Sequence, residues 1–125
     1  MNAYLTVFLG AGIGGAMRHG VNVSAAKLLS AGYPCGTLIV NIVGSFVMGL
    51  LAEWFALRFD PGQTWRLFLT TGILGGFTTF SAFSLDTALL IERGAHPLAA
   101  VYVFTSVVAS IAGLFIGLVI VRQFA

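Results

Sequence analysis

The residues of this 125-residue chain that could do chemistry are few and mostly neutral. Asn41, Thr79, Ser81, Ser106 and Ser110 carry N–H or O–H donors inside stretches that are otherwise apolar. Phe80 and Phe83 stand three positions apart, so on a helix their rings share a face. A phenyl ring is negative on its faces and positive at its edge, so ring edges can receive an anion without a formal charge. Neutral donors beside such edges suit a small, strongly hydrated anion that must be held weakly enough to leave. A fixed Arg at the same point would hold it too tightly. For the Phe pair taken alone, core packing is the commoner role. Asn41 is open to two readings, interhelical bond or pore donor, since a buried amide needs a partner in either case. No nucleophile–base pair and no nucleotide-binding Gly-x-x-x-x-Gly-Lys-Ser/Thr loop is present. His19 and His96 have no Cys or carboxylate at ligand spacing. An enzyme is not expected.

These side chains must be positioned by membrane helices. The chain is 58% hydrophobic and 8% charged, against about 25% charged for a soluble domain. It reads as an all-α integral membrane protein in which residues 1–125 form one domain, with the lipid bilayer as its surroundings. Four transmembrane helices are expected, over about 3–29, 36–57, 65–91 and 97–121. Ser30–Cys35 and Arg58–Thr64 read as loops, the second through the turn sequence Asp60-Pro61-Gly62. A net charge of +2 without a basic cluster argues against nucleic acid as a partner. The single cysteine, Cys35, excludes an intramolecular disulfide and reads as a loop or helix-end thiol. The N-terminus lacks a basic region before its apolar stretch, so no cleavable signal is expected.

The third span contains an oddity. Gly72-Ile73-Leu74-Gly75-Gly76-Phe77-Thr78-Thr79-Phe80-Ser81-Ala82-Phe83-Ser84 brings glycines, paired threonines and serines to mid-membrane. Glycine loses the most backbone entropy in a helix, and β-branched neighbours crowd the preceding turn. A helix broken mid-membrane is expected here, and the freed backbone must face protein, water or an ion. Thr37, Asn41 and Ser45 fall at i, i+4, i+8 on the second span, and Tyr102, Ser106 and Ser110 do the same on the fourth. Membrane serines often bond back to their own i−4 carbonyl, so the second stripe has a purely local reading as well as that of a lined path. Gly10/Gly14, Ala11/Gly15, Gly12/Ala16 and Ala109/Gly113/Gly117 form small-residue ridges suited to close helix packing. Arg18 either snorkels to the interface or sits in a wet cavity. Asp86 reads as a helix-end carboxylate or a partner for Arg18, and Glu53 and Trp54 as interfacial residues.

The basic residues are nearly balanced across the membrane. With four spans, Arg58, Arg66 and Arg122 lie on one side, and Lys27, Arg93 and, if counted, Arg18 towards the other. Orientation follows an excess of Lys and Arg on the cytoplasmic side, and here there is almost none. Insertion in both orientations is expected, giving an antiparallel, dual-topology homodimer with its two-fold axis in the membrane plane. Two broken third spans would then meet near that axis with their carbonyl ends together. Such ends repel unless a cation such as Na⁺ lies between them.

Gly36-Thr37-Leu38-x-Val40-Asn41, Gly72-x-x-Gly75-Gly76-Phe77-Thr78-Thr79-Phe80-Ser81-x-Phe83-Ser84 and Gly14-x-x-x-Arg18 resemble the Fluc (CrcB) family of small bacterial fluoride channels. The resemblance extends over essentially the whole chain. It implies passive export of cytoplasmic fluoride through two pores of an antiparallel homodimer in the bacterial inner membrane, and hence fluoride resistance. It also implies a structural Na⁺ at the dimer interface, held by the backbone carbonyls of Gly75 and Thr78. Phe80 and Phe83 correspond to the pore phenylalanines and Asn41 to the pore asparagine. Thr79, Ser81, Ser106, Ser110 and Tyr102 would line the fluoride path, with Arg18 at a vestibule. The chain departs from the family pattern at Ala82, where Thr is usual, and at Asp86, where Glu is usual. The competing expectation is a small proton-coupled multidrug exporter of the four-span, dual-topology type. It would need an intramembrane carboxylate, for which Asp86 is the inner candidate.

Overall fold

The computed structural model describes residues 2–29 and 32–124, and among them every regular element is helical. Of the expected loop Ser30–Cys35, Ser30 and Ala31 lie outside the described residues, as do Met1 and Ala125 at the ends of the expected domain. Helix α1 (Ala3–Leu28) starts at Asn2, whose Oδ1 accepts from Tyr4 N at 2.7 Å and Leu5 N at 3.2 Å. Helix α2 (Cys35–Leu57) takes in Cys35, which was expected in the loop, as its first residue. In the loop that follows, Asp60 Oδ1 accepts from Gly62 N at 3.0 Å and Arg66 Nη2 at 3.1 Å. Gly62 itself adopts φ 88°, which favours glycine. The Gly62 N–H and then Arg66 hold the Asp60 carboxyl below its ordinary range.

The third helical run is composite. It opens with α3 (Gln63–Arg66), widens into π-type turns over Leu67–Leu74, and tightens again in α4 (Gly75–Phe77). Two extended residues follow before α5 (Phe80–Glu92). Within the wide turns Thr70 Oγ1 donates to the Arg66 carbonyl at 2.7 Å, competing for the acceptor that an α-helix would give to the Thr70 N–H. Gly94, at φ 81°, turns the chain into α6 (His96–Phe124).

Among the described residues, α2, the run Gln63–Glu92 and α6 are long and apolar enough to cross a membrane. Helix α1 has the length, 26 residues, but carries Arg18 and Lys27 and is less apolar. Packing rests on glycines that bring backbones together. A Cβ at Gly10 would meet the Phe68 carbonyl and Gly72 Cα, one at Gly14 the Ile73 carbonyl, and one at Gly76 the Ala11 carbonyl. These contacts seat α1 on the π turns and α4. Gly49 meets the Leu114 carbonyl and Gly117 the Phe46 carbonyl, joining α2 to α6. Gly12 and Gly15 have open space instead, so the Gly12/Ala16 ridge is not a contact within the chain. A small apolar core of Leu90, Ala99 and Tyr102, flanked by Tyr33, Leu38, Phe83 and Ala95, closes one end between α5 and α6.

Candidate functional site

The break is two residues wide. Thr78 (φ −86°, ψ 161°) and Thr79 (φ −156°, ψ 121°) are extended, inside the stretch where the glycines and threonines oppose a helix. Thr78 remains attached to the turn behind it: its N–H and its Oγ1 both donate to the Leu74 carbonyl, at 3.0 and 2.9 Å. Thr79 is turned away. Its N–H, which a continuous helix would send to Gly75, donates to Asn41 Oδ1 at 2.8 Å. Its carbonyl accepts from Asn41 Nδ2 at 3.1 Å. One amide from α2 thus satisfies both backbone groups of the residue that leaves the helix. The interhelical reading of Asn41 therefore holds, though the same residue also borders a groove. Thr79 Oγ1 accepts from Ala82 N at 3.1 Å and caps α5. On the opposite flank, Arg18 Nε donates to the Gly76 carbonyl at 3.1 Å.

Beside the break lies a groove of about 380 Å³. Helix α2 contributes Asn41 and Ser45, the break Thr78 and Thr79, α5 Phe80 and Phe83, and α6 Ser106 and Ser110 with the apolar Val107 and Ile111. The first turn of α5, the positive end of that helix, borders its wall. The Ser106 and Ser110 hydroxyls are buried without a hydrogen-bond partner among the described residues. This is not the default for membrane helices or for this chain. Thr6, Thr70, Thr78, Ser84 and Thr87 each donate to the carbonyl four residues back. A buried hydroxyl left unsatisfied costs about 1–3 kcal/mol, and two occur on one stripe facing one groove. Phe80 is 78% exposed and takes no part in the core of the chain. Phe83 does pack, with ring centroids 5.4 Å from Phe80 and 5.3 Å from Tyr102.

Other expected site residues lie apart. Ser81 is exposed, its Oγ 3.3 Å from Thr79 Oγ1, and does not line the groove. Tyr102 is fully buried behind Phe83 and donates its hydroxyl to Asp86 Oδ2 at 3.1 Å. Asp86 is therefore a partner of Tyr102 rather than of Arg18. Gly75 is exposed on the surface of the chain and Thr78 is half-buried. Glu53, expected as an interfacial residue, pairs with Arg122 at 3.1 Å. A second cavity of about 340 Å³ joins Asp86 and Ala82 to Tyr33, Thr37 and Asn22. Asn22 escaped sequence reasoning, although it stands one helical turn beyond Arg18. Ser45 was visible in the stripe with Asn41 but was not among the expected pore residues.

The model of the family described as "CrcB-like protein, Camphor Resistance (CrcB)" matches residues 5–118, which include every residue of the break and the groove. The chain belongs to the CrcB family. CrcB-type relatives are similar along nearly their whole length. The "Fluoride-specific ion channel FluC" of Methylobacterium nodulans is 62% identical over 120 residues, covering 96% of each chain. A protein of the same name from a second Methylobacterium is 59% identical over 96% of each. The "Fluoride-specific ion channel FluC 2" of Nitrobacter hamburgensis is 55% identical over 96% of this chain and 97% of its own. The names describe CrcB relatives as ion channels and not as enzymes.

Proposed function

We propose that this CrcB-family protein is a fluoride channel whose conducting wall is the groove beside the broken helix. The observation that carries the reading is the pair of unpartnered buried hydroxyls, Ser106 and Ser110, on one stripe facing that groove. They are donors kept free for something that is not protein. The positive end of α5 and the ring edges of Phe80 and Phe83 add attraction without a formal charge. A hydrated anion needs several such donors in succession to lose its water and still leave. Asn41 adds its second amide N–H, the first being committed to Thr79. Movement is passive and outward, following the fluoride gradient and the membrane potential, in the bacterial inner membrane.

The wall in one chain is open, and Phe80 is uncovered. Both features support an antiparallel homodimer in which a second copy closes each of two paths. Four crossings per chain, with α1 the least apolar, keep both termini on one side and fit the balanced basic residues. A structural Na⁺ fits the same assembly. Thr79 sends its N–H to Asn41 and leaves the Gly75 carbonyl without that donor, while Gly75 is exposed and Thr78 is extended. Neutral carbonyl oxygens of Gly75 and Thr78 are hard ligands suited to a small cation. The groove lining has no carboxylate among the described residues, which counts against proton-coupled export of cationic drugs.

The test is anion efflux from liposomes holding the purified protein. Rapid fluoride efflux with little chloride efflux is expected, and Phe80→Leu or Phe83→Leu should slow it without dissociating the dimer. Equal passage of both anions, or none, removes the channel reading. A reporter at the C-terminus should be found on both sides of the membrane; detection on one side alone removes the dual topology.

A further inference from the structure

Arg18 does something the fluoride path does not require of it. It crosses from α1 to the break and gives its Nε–H to the Gly76 carbonyl, at 3.1 Å. The ion pairs among the described residues are Arg66–Asp60 and Arg122–Glu53, so no described carboxylate pairs with the half-buried Arg18 guanidinium. It does not line the groove. In a continuous helix the Gly76 carbonyl would accept from Phe80 N, but Phe80 begins a new helix. Gly76 would otherwise be a further free carbonyl at the negative end of α4, next to Gly75.

We propose that Arg18 is a positioning residue that takes Gly76 out of the ligand set of the interfacial cation and, through its own charge, holds that cation's affinity down. This rests on the cation reading above and concerns which backbone groups serve the cation and how tightly. Two effects work in the same direction. The guanidinium occupies the carbonyl adjacent to the Gly75 ligand, and it repels a cation bound one residue away. Removing Arg18 frees an oxygen and deletes a positive charge, so sodium should bind more tightly. Loss of a nearby unit charge at a partly buried site is worth about tenfold in affinity. If Arg18 served only to brace the break, its removal would loosen the ligands and weaken sodium binding. The two accounts differ in sign.

The experiment titrates sodium against thermal stability of the purified protein, with a large organic cation replacing sodium. The expected result is a half-maximal sodium concentration about tenfold lower in Arg18→Met. Arg18→Lys, which keeps the charge but not the guanidinium fork, should stay within about threefold of the parent. If Arg18→Met does not purify, Arg18→Leu, which likewise has no donor for the Gly76 carbonyl, carries the same expectation. A midpoint unchanged or raised in the neutral variant, with the parent still sodium-dependent, overturns the role of Arg18 alone. A parent whose stability ignores sodium overturns the cation reading and this inference together.

Discussion

Replacing Asn41 by Ala should release the break without disturbing the helices on either side. Asn41 makes two bonds to Thr79, at 2.8 Å from the Thr79 N–H and 3.1 Å to its carbonyl. Among the described residues no other group is bonded to that N–H. A net hydrogen bond contributes about 1 kcal/mol, so the pair contributes about 2 kcal/mol to holding Thr79 in place. At about 1.4 kcal/mol per factor of ten, local opening should become about thirtyfold more frequent. The lower figure for each bond is the right one because Thr79 is half-buried and borders a groove that water can enter. Hydrogen exchange resolved to single amides, on protein in lipid nanodiscs, reads this directly. Thr79 should lose most of its protection, and Ala82, capped by Thr79 Oγ1 at 3.1 Å, should follow in part. Amides in the middle of α6 should not change. Asn41→Asp separates the two bonds, since a carboxylate accepts from the Thr79 N–H but cannot donate to its carbonyl. Its Thr79 amide should exchange more slowly than that of the Ala variant. Protection of Thr79 within about twofold of the parent in Asn41→Ala would refute the assignment of Asn41 as the bond that closes the break.

Ser106→Ala and Ser110→Ala should each leave thermal stability unchanged or raise it, by up to about 1 kcal/mol, because each removes a buried hydroxyl without a hydrogen-bond partner among the described residues. Fluoride efflux should fall in the same variants; stability and flux declining together would mean that the hydroxyls support the fold. Gly14→Ala should prevent the native packing of α1, since the new Cβ would run into the Ile73 carbonyl, while Gly12→Ala meets open space. The Gly12 variant should gain about 0.5–1 kcal/mol from the lower backbone entropy of Ala in a helix. Equal behaviour of the two in detergent melts would overturn the close contact.

The position of the break was legible because the disfavoured residues are adjacent in sequence: Gly75, Gly76, Thr78 and Thr79 oppose a helix whatever surrounds them. Its width was not, because Thr78 stays on the preceding turn through a bond from its own side chain. The π turns over Leu67–Leu74 were illegible for a related reason. They coincide with Thr70 taking the Arg66 carbonyl and with α1 arriving at Gly72, and hydropathy registers neither. Asn41 remained divided between two roles until its partner 38 residues away was known. Arg18 joins a residue 58 positions distant, so no local spacing could have tied it to Gly76. The serines of α6 were legible as a stripe by their spacing alone. That they do not bond back to their own helix was not, since the general habit of membrane serines points the other way. The ridges at Gly10/Gly14 and Gly113/Gly117 showed which faces come close, but the silence of Gly12 depends on what α1 packs against.

The lining of the groove has one more consequence. Asn41, Ser45, Thr78, Thr79, Ser106 and Ser110 supply all its polar side chains among the described residues, and none of them gains or loses a proton across the range of pH a bacterium survives. On the channel reading, the ion reaches the cytoplasm as a neutral weak acid, so the load rises when the medium turns sour. A wall containing carboxylates or histidines would change its conductance in the same hour as its workload. This wall keeps one conductance, and the flow through it scales with what has accumulated inside. Among the described residues, the lining itself carries no group that would respond to that change.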